Sequence, residues 1–125
     1  MRYLIDTNCC IYLFSGQFPE LIRRVGSADS GEIALSVIVL AELGVGARLG
    51  KAPDEDGLMR LRGQMPLLPF EAGDAEAFAA LPFRRGRFDR LLAAHALSRD
   101  LILITNNEAD FADVPGLRVE NWTQP

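Results

Sequence analysis

A chain of 125 residues, 49% of them hydrophobic, is the size of one domain and can bury a real core. Its formal net charge of −4 excludes a globally basic nucleic-acid binder, and only two cysteines, adjacent at Cys9 and Cys10, exclude a disulfide scaffold. They read as small buried hydrophobes in a reducing, cytoplasmic setting.

In chain order, short β-like runs alternate with helical stretches, the pattern of a layered α/β domain with a parallel sheet. Arg2 to Ile5 reads as a strand closed by the cap chemistry of Asp6-Thr7-Asn8, followed by a helix from Cys9 to Phe14. A second helix is expected from Pro19 to Val25, a strand over Ile33 to Val37, and a helix over Ile38 to Leu49 stopped by Gly50. Another helix should start after Pro53, then a short strand over Leu67 to Phe70 and a helix over Asp74 to Leu81. Arg87 to Ser98 is the clearest helix, and the apolar Leu101 to Ile104 suits a central parallel strand buried on both faces. Arg118 to Glu120 reads as an edge strand.

No linker, repeat or low-complexity segment divides the chain, so residues 1–125 are expected to form one domain. Asp6 and Asn8 interrupt the apolar N-terminus too early for a signal segment, and the longest apolar run, Ile33 to Ala41, is too short to cross a bilayer. A soluble cytoplasmic protein with no membrane contact is the expectation. The high apolar content leaves surface for a partner, which favours an oligomer or a tight complex.

Several acids fall where a strand ends or a helix begins, and in a parallel sheet the C-terminal strand ends share one rim where ligands bind. Asp6 ends the first strand, and Asn106, Asn107, Glu108 and Asp110 follow the fourth. Glu42 interrupts an otherwise apolar stretch, Val37 to Leu43, where a charge is costly unless something cationic needs it. Asp89 occupies the first turn of its helix, a position acids favour whatever their function, with Ala93 and Ala96 on its face leaving space beside it. Asp6 alone is no more than a cap. Gathered in one cleft, such carboxylates would repel one another unless a cation held them ionised. An all-oxygen set suits Mg²⁺ or Mn²⁺ rather than zinc, and such ions activate water for attack on a phosphodiester.

Rival chemistries fare worse. A metal-free ribonuclease commonly needs two positioned imidazoles, and His95 is the single histidine, roughly 120° around its helix from Asp89. It reads as a packed or interface residue. No phosphate-binding glycine loop is present. Asn8 stands where a haloacid-dehalogenase phosphatase needs its second aspartate.

At these residues the sequence resembles the PIN-domain ribonucleases, and among them the VapC toxins of type II toxin–antitoxin pairs. The matching pieces are Leu4-Ile5-Asp6-Thr7-Asn8, Leu40-Ala41-Glu42-Leu43, the stretch Phe88 to Leu97 around Asp89, Ile104-Thr105-Asn106-Asn107 with Asp110-Phe111, and the tail Val114 to Trp122. The resemblance implies a three-layer α/β/α domain with a mostly parallel five-stranded sheet. It implies Mg²⁺-dependent (or Mn²⁺-dependent) endonucleolytic cleavage of RNA, tRNA or rRNA, leaving 5′-phosphate and 3′-hydroxyl ends and arresting translation. It also implies a homodimer, silenced by a VapB-type antitoxin in a higher assembly.

Carried over by position, Asp6, Glu42 and Asp89 match the family's main acids, Thr7 and Asn8 the polar residues beside the first, and Thr105 a hydroxyl near the site. Many relatives have Asp two residues after that hydroxyl, where this chain has Asn107. Either Asn107 is a neutral ligand or Asp110 completes the set; Asp110, supported by Asn107, is preferred. Val39 replaces a common Thr, leaving Ser36 to cap the helix that bears Glu42. The segment before Asp89 is shortened and concentrates Arg84, Arg85 and Arg87, an expected RNA track in which guanidinium groups meet phosphate and unpaired bases. The substitution at Asn107 keeps open a reading of another class, a PIN-like module with weak or lost catalysis that acts through its partner. A metal-dependent phosphatase on a similar sheet is a third.

Overall fold

The computed structural model describes residues 1–82 and 88–125. The first strand, β1 (Tyr3–Ile5), runs into α1 (Thr7–Ser15), whose N-cap is Asp6. Gly16 ends α1 in the left-handed conformation that glycine adopts without a Cβ penalty. Then come α2 (Pro19–Ser27), β2 (Ile33–Ser36), α3 (Val37–Arg48), α4 (Glu55–Gln64), β3 (Leu67–Leu68) and α5 (Ala72–Ala79). The chain closes with α6 (Phe88–Ser98), β4 (Ile102–Ile104), a 3-10 turn (Glu108–Phe111) and β5 (Val119–Glu120). Every expected element exists, with ends shifted by a few residues because caps rather than apolar periodicity set them. Asp6 starts α1 two residues before Cys9, and Ser36 starts α3 where the strand was expected to continue.

The five strands form one parallel sheet in the order β3-β2-β1-β4-β5. All residues of β2 and β4 are buried, so helices cover both faces and the layering is α/β/α. Leu4, Ile5, Leu35, Leu103 and Ile104 form the middle of the core, sealed by Leu21, Leu43 and Leu92 from the helices. Ala93, Ala94 and Ala96 are fully buried, and their small side chains let α6 pack closely. Cys9 and Cys10 are buried and unbridged, and burial pushes both thiols up, which leaves them inert as nucleophiles. Among the described residues, no helix is long and apolar enough to cross a membrane.

This strand order has one functional consequence. From β1 the chain first builds outward to β2 and β3, then returns to place β4 on the other side. The reversal leaves a crevice beyond the C-terminal ends of β1 and β4, where parallel α/β sheets bind ligands. Asp6 follows β1 directly, and Thr105-Asn106-Asn107 follows β4.

Candidate active site at the strand switch point

The crevice is a cleft of about 400 Å³ lined by Asp6, Thr7, Asn8, Glu42, Phe88, Asp89, Leu92, Asn107, Asp110 and Phe111. Four segments far apart in sequence supply it. Asp6 is held most firmly: its backbone N–H donates to the Ile104 carbonyl at 3.0 Å, and its Oδ1 accepts from the Cys9 N–H at 2.8 Å. Capping and a place in the cleft are therefore compatible roles for one carboxylate. Burial pushes the Asp6 carboxyl up from its ordinary value; hydrogen bonds from Thr105 and Cys9 pull it down, and the charge of Asp89 adds to the upward push.

Glu42 is anchored across the cleft by the Thr7 hydroxyl, which donates to its Oε1 at 2.7 Å. That contact explains an acid in an apolar helix: Glu42 turns away from the core toward the start of α1. On the opposite wall, Asn107 Nδ2 donates to Asp110 Oδ2 at 2.5 Å. The two residues offered as alternatives for the fourth position therefore act as a pair, the amide orienting the carboxylate. The Asn107 N–H is held in turn by Thr105 Oγ1 at 3.0 Å. Thr105 is fully buried and does not line the cleft; its hydroxyl bridges the β4 end to Asp6.

Chemically, the cleft offers carboxylate and amide oxygens and no soft donors, the set that hard divalent cations prefer. Among the described residues, no three acidic, histidine or cysteine side chains are already drawn into a closed cage. The fit rests instead on donor chemistry and on Asp6: a buried carboxylate whose ionisation is opposed by burial and by Asp89 is one that a bound cation stabilises.

Residues 3–117 match the PIN domain. The chain belongs to the PIN-domain family. Within that family its relatives are VapC ribonucleases. It is 32% identical over 133 residues to the tRNA(fMet)-specific endonuclease VapC of Shigella flexneri, covering 98% of this chain and 99% of the other. Ribonuclease VapC2 of Haemophilus influenzae is also 32% identical, over 98% of each chain. Among solved structures, the chain is similar to VapBC2 of Rickettsia felis bound to a promoter DNA fragment (TM-score 0.81, 27% identity, 98% of this chain and 99% of that one). DNA-bound VapBC of Salmonella typhimurium is as near in shape (TM-score 0.81, 29% identity, 98% of both chains).

In this PIN domain the cleft brings together Asp6, Thr7, Asn8, Glu42, Asp89, Asn107 and Asp110. Three expectations need correction or limit. The open space beside Asp89 is not made by Ala93 and Ala96, because both are sealed in the core; the α6 wall of the cleft is Phe88, Asp89 and Leu92. Arg84, Arg85 and Arg87 lie outside the described residues. Arg90, which continues that basic run three residues after Arg87, is buried, and its Nη2 donates to Asp113 at 2.6 Å, which ties α6 to the loop after the 3-10 turn. The apolar lining residues Phe88, Leu92 and Phe111 were missed. The i, i+4 spacing of Phe88 and Leu92 around Asp89 was the available signal.

Proposed function

We propose that this PIN domain is a divalent-metal-dependent endoribonuclease, the toxin of a toxin–antitoxin pair, with Asp6, Glu42, Asp89 and Asp110 as its working acids. The observation that carries this reading is the convergence of four acids from four segments on one cleft at the strand switch point. When bound, Mg²⁺ or Mn²⁺ would supply Lewis-acid activation of water and charge stabilisation on a phosphodiester. Asp6, Asp89 and Asp110 would hold the ion, with Glu42 ligating or orienting the attacking water from the place where Thr7 holds it. Asn107 keeps Asp110 turned into the cleft, and Asn8 and Thr7 line its floor. Exposed Phe88 gives the cleft an apolar edge against which an unpaired base can stack, while Phe111 is buried behind the opposite wall. RNA of the tRNA or rRNA class is the proposed substrate, with arrest of translation the outcome, and Arg84, Arg85 and Arg87 the proposed contacts to its backbone.

A VapB-type antitoxin is the proposed partner, on a homodimer in the cytoplasm. Exposed Val45 on α3, Leu49 at its C-cap and Met59 on α4, with Ile22 on α2, leave apolar surface that suits a protein partner. The similar VapBC structures show relatives in such complexes.

Purified chain should cut structured RNA in Mg²⁺, and EDTA should abolish the cutting. Asp89→Asn should lower the rate by about a hundredfold or more, the scale at which lost metal positioning and electrostatic stabilisation appear. Full cleavage in EDTA, or by Asp89→Asn, would overturn the proposal.

A further inference from the structure

Behind the cleft, outside its lining, lies a buried polar chain that the proposed chemistry does not use. His95 and Ser36 are both fully buried. His95 Nε2 sits 3.0 Å from the Pro69 carbonyl oxygen, and Nδ1 sits 2.8 Å from Ser36 Oγ. A carbonyl only accepts, so Nε2 carries the proton and Nδ1 is bare. Ser36 must then donate its hydroxyl proton to Nδ1, which turns the oxygen lone pairs elsewhere. One of them accepts from the Ile38 N–H at 3.0 Å, the N-cap bond of α3.

The carboxylate beside the imidazole is already saturated. Asp74 Oδ2 lies 3.7 Å from Nε2, but its carboxylate accepts from Arg99 Nε at 3.0 Å and Nη2 at 2.9 Å, from the Glu71 N–H at 2.7 Å, and from the Ser98 hydroxyl. It therefore has little left with which to draw a proton onto His95. The Phe70 ring meets the imidazole edge to face, at 5.2 Å between centroids, and fixes its plane.

The connectivity matters because of what each end carries. His95 is on α6, whose first turn holds Asp89, while Ser36 starts α3, which holds Glu42 one and a half turns later. We infer that His95, acting through Ser36, is a positioning residue for the cleft: it locks the start of α3 to α6 and so sets Glu42 against Asp89. This rests on the reading of the cleft as a metal-dependent active site. A merely satisfied core histidine would contribute to stability without favouring one hydrogen bond over the other.

Two replacements separate the bonds. In His95→Asn, Oδ1 stands where Nδ1 stood and can still accept from Ser36. In His95→Gln, the amide reaches toward Pro69 and the acceptor for Ser36 is gone. Ser36→Ala removes the relay with almost no change in volume. Three measurements decide: Mn²⁺ affinity by electron paramagnetic resonance without RNA, cleavage rate, and amide exchange along α3 from Val39 to Glu42. His95→Asn is expected to match the unaltered chain. Ser36→Ala and His95→Gln should each lose about tenfold or more in Mn²⁺ affinity and cleavage, with faster exchange at Glu42, the usual scale for groups that orient metal ligands. The Ser36→Ala, His95→Gln double variant should lose no more than either alone.

A folded Ser36→Ala protein with unchanged Mn²⁺ affinity and unchanged exchange at Glu42 would overturn the inference, as would equal losses in His95→Asn and His95→Gln. If His95→Asn does not fold, His95→Gln decides: faster exchange at Glu42 of the kind Ser36→Ala shows supports the inference, and unchanged exchange there overturns it. Failure of the unaltered chain to bind Mn²⁺ would instead remove the metal reading; the positioning claim would then stand or fall on exchange at Glu42 alone.

Discussion

Asp6 does two jobs with one carboxylate, and the jobs respond differently to substitution. Its Oδ1 caps α1 through the Cys9 N–H, while its charge faces Asp89 within the cleft. Asparagine keeps an acceptor oxygen and caps helices about as well as aspartate, but carries no charge. Asp6→Asn should therefore fold with a urea midpoint at least as high as the unaltered chain's, since it also removes a charge that burial and Asp89 oppose, and should lose RNA cleavage. Asp6→Ala should lose cleavage and also about 1 kcal/mol of stability, the usual worth of a cap. If both variants lost the same stability, the cap would not be what the carboxylate contributes to the fold. The two readings that its sequence position allowed, cap and ligand, are thus not competitors. Asn107 and Asp110 teach the same lesson from the other wall, because either/or in the sequence becomes donor and acceptor in space.

Elements were legible in the sequence where local chemistry specifies them. Strands β1, β2 and β4 announced themselves as short apolar runs, and the caps Asp6, Ser36 and Asp54 each accept from a backbone N–H at the start of a helix. Long-range pairing was not legible. Nothing near Arg90 in sequence reveals that it is buried, because its partner Asp113 lies 23 residues away. One basic run thus contained a surface candidate and a structural brace, which spacing alone cannot sort. The brace joins α6, which carries Asp89, to the segment just after Asp110. Arg90→Ala should cost on the order of 2 kcal/mol, the scale of a hydrogen-bonded charge pair of which one member is buried. It should also speed amide exchange across Glu108–Phe111, where α6 no longer holds the turn. Unchanged exchange there, with the loss of stability intact, would confine Arg90 to packing.

At the scale of the whole molecule, pH and metal act on the same folded ensemble from two sides. Burial holds the His95 imidazole below its ordinary value of 6.5, although Asp74 pulls the other way. The unfolded chain then takes up a proton first as pH falls through that ordinary value, so acid favours unfolding, with a limiting slope of about 1.4 kcal/mol per pH unit. This stability is fully present above pH 6.5 and declines below it. Asp74, held below its ordinary value because Arg99, Ser98 and the Glu71 N–H outweigh its burial, adds acid sensitivity only below 3.8. Asp6 acts with the opposite sign, since its carboxyl is raised. Comparing the chain with His95→Asn cancels both carboxylates, and the difference in urea midpoint between pH 7 and pH 5 should shrink in the variant. Metal enters through mass action. An ion that binds the folded cleft and not the unfolded chain adds about 2.7 kcal/mol at roughly a hundredfold over its Kd. For a domain of this size that corresponds to a rise in Tm on the order of 10 °C. Mn²⁺ titrated at pH 7.5 should therefore raise Tm progressively, and Asp6→Asn, which keeps the cap and removes the charge, should abolish most of the rise. A Tm that does not respond to Mn²⁺ in the unaltered chain would mean that the four acids do not form a metal site in the free protein.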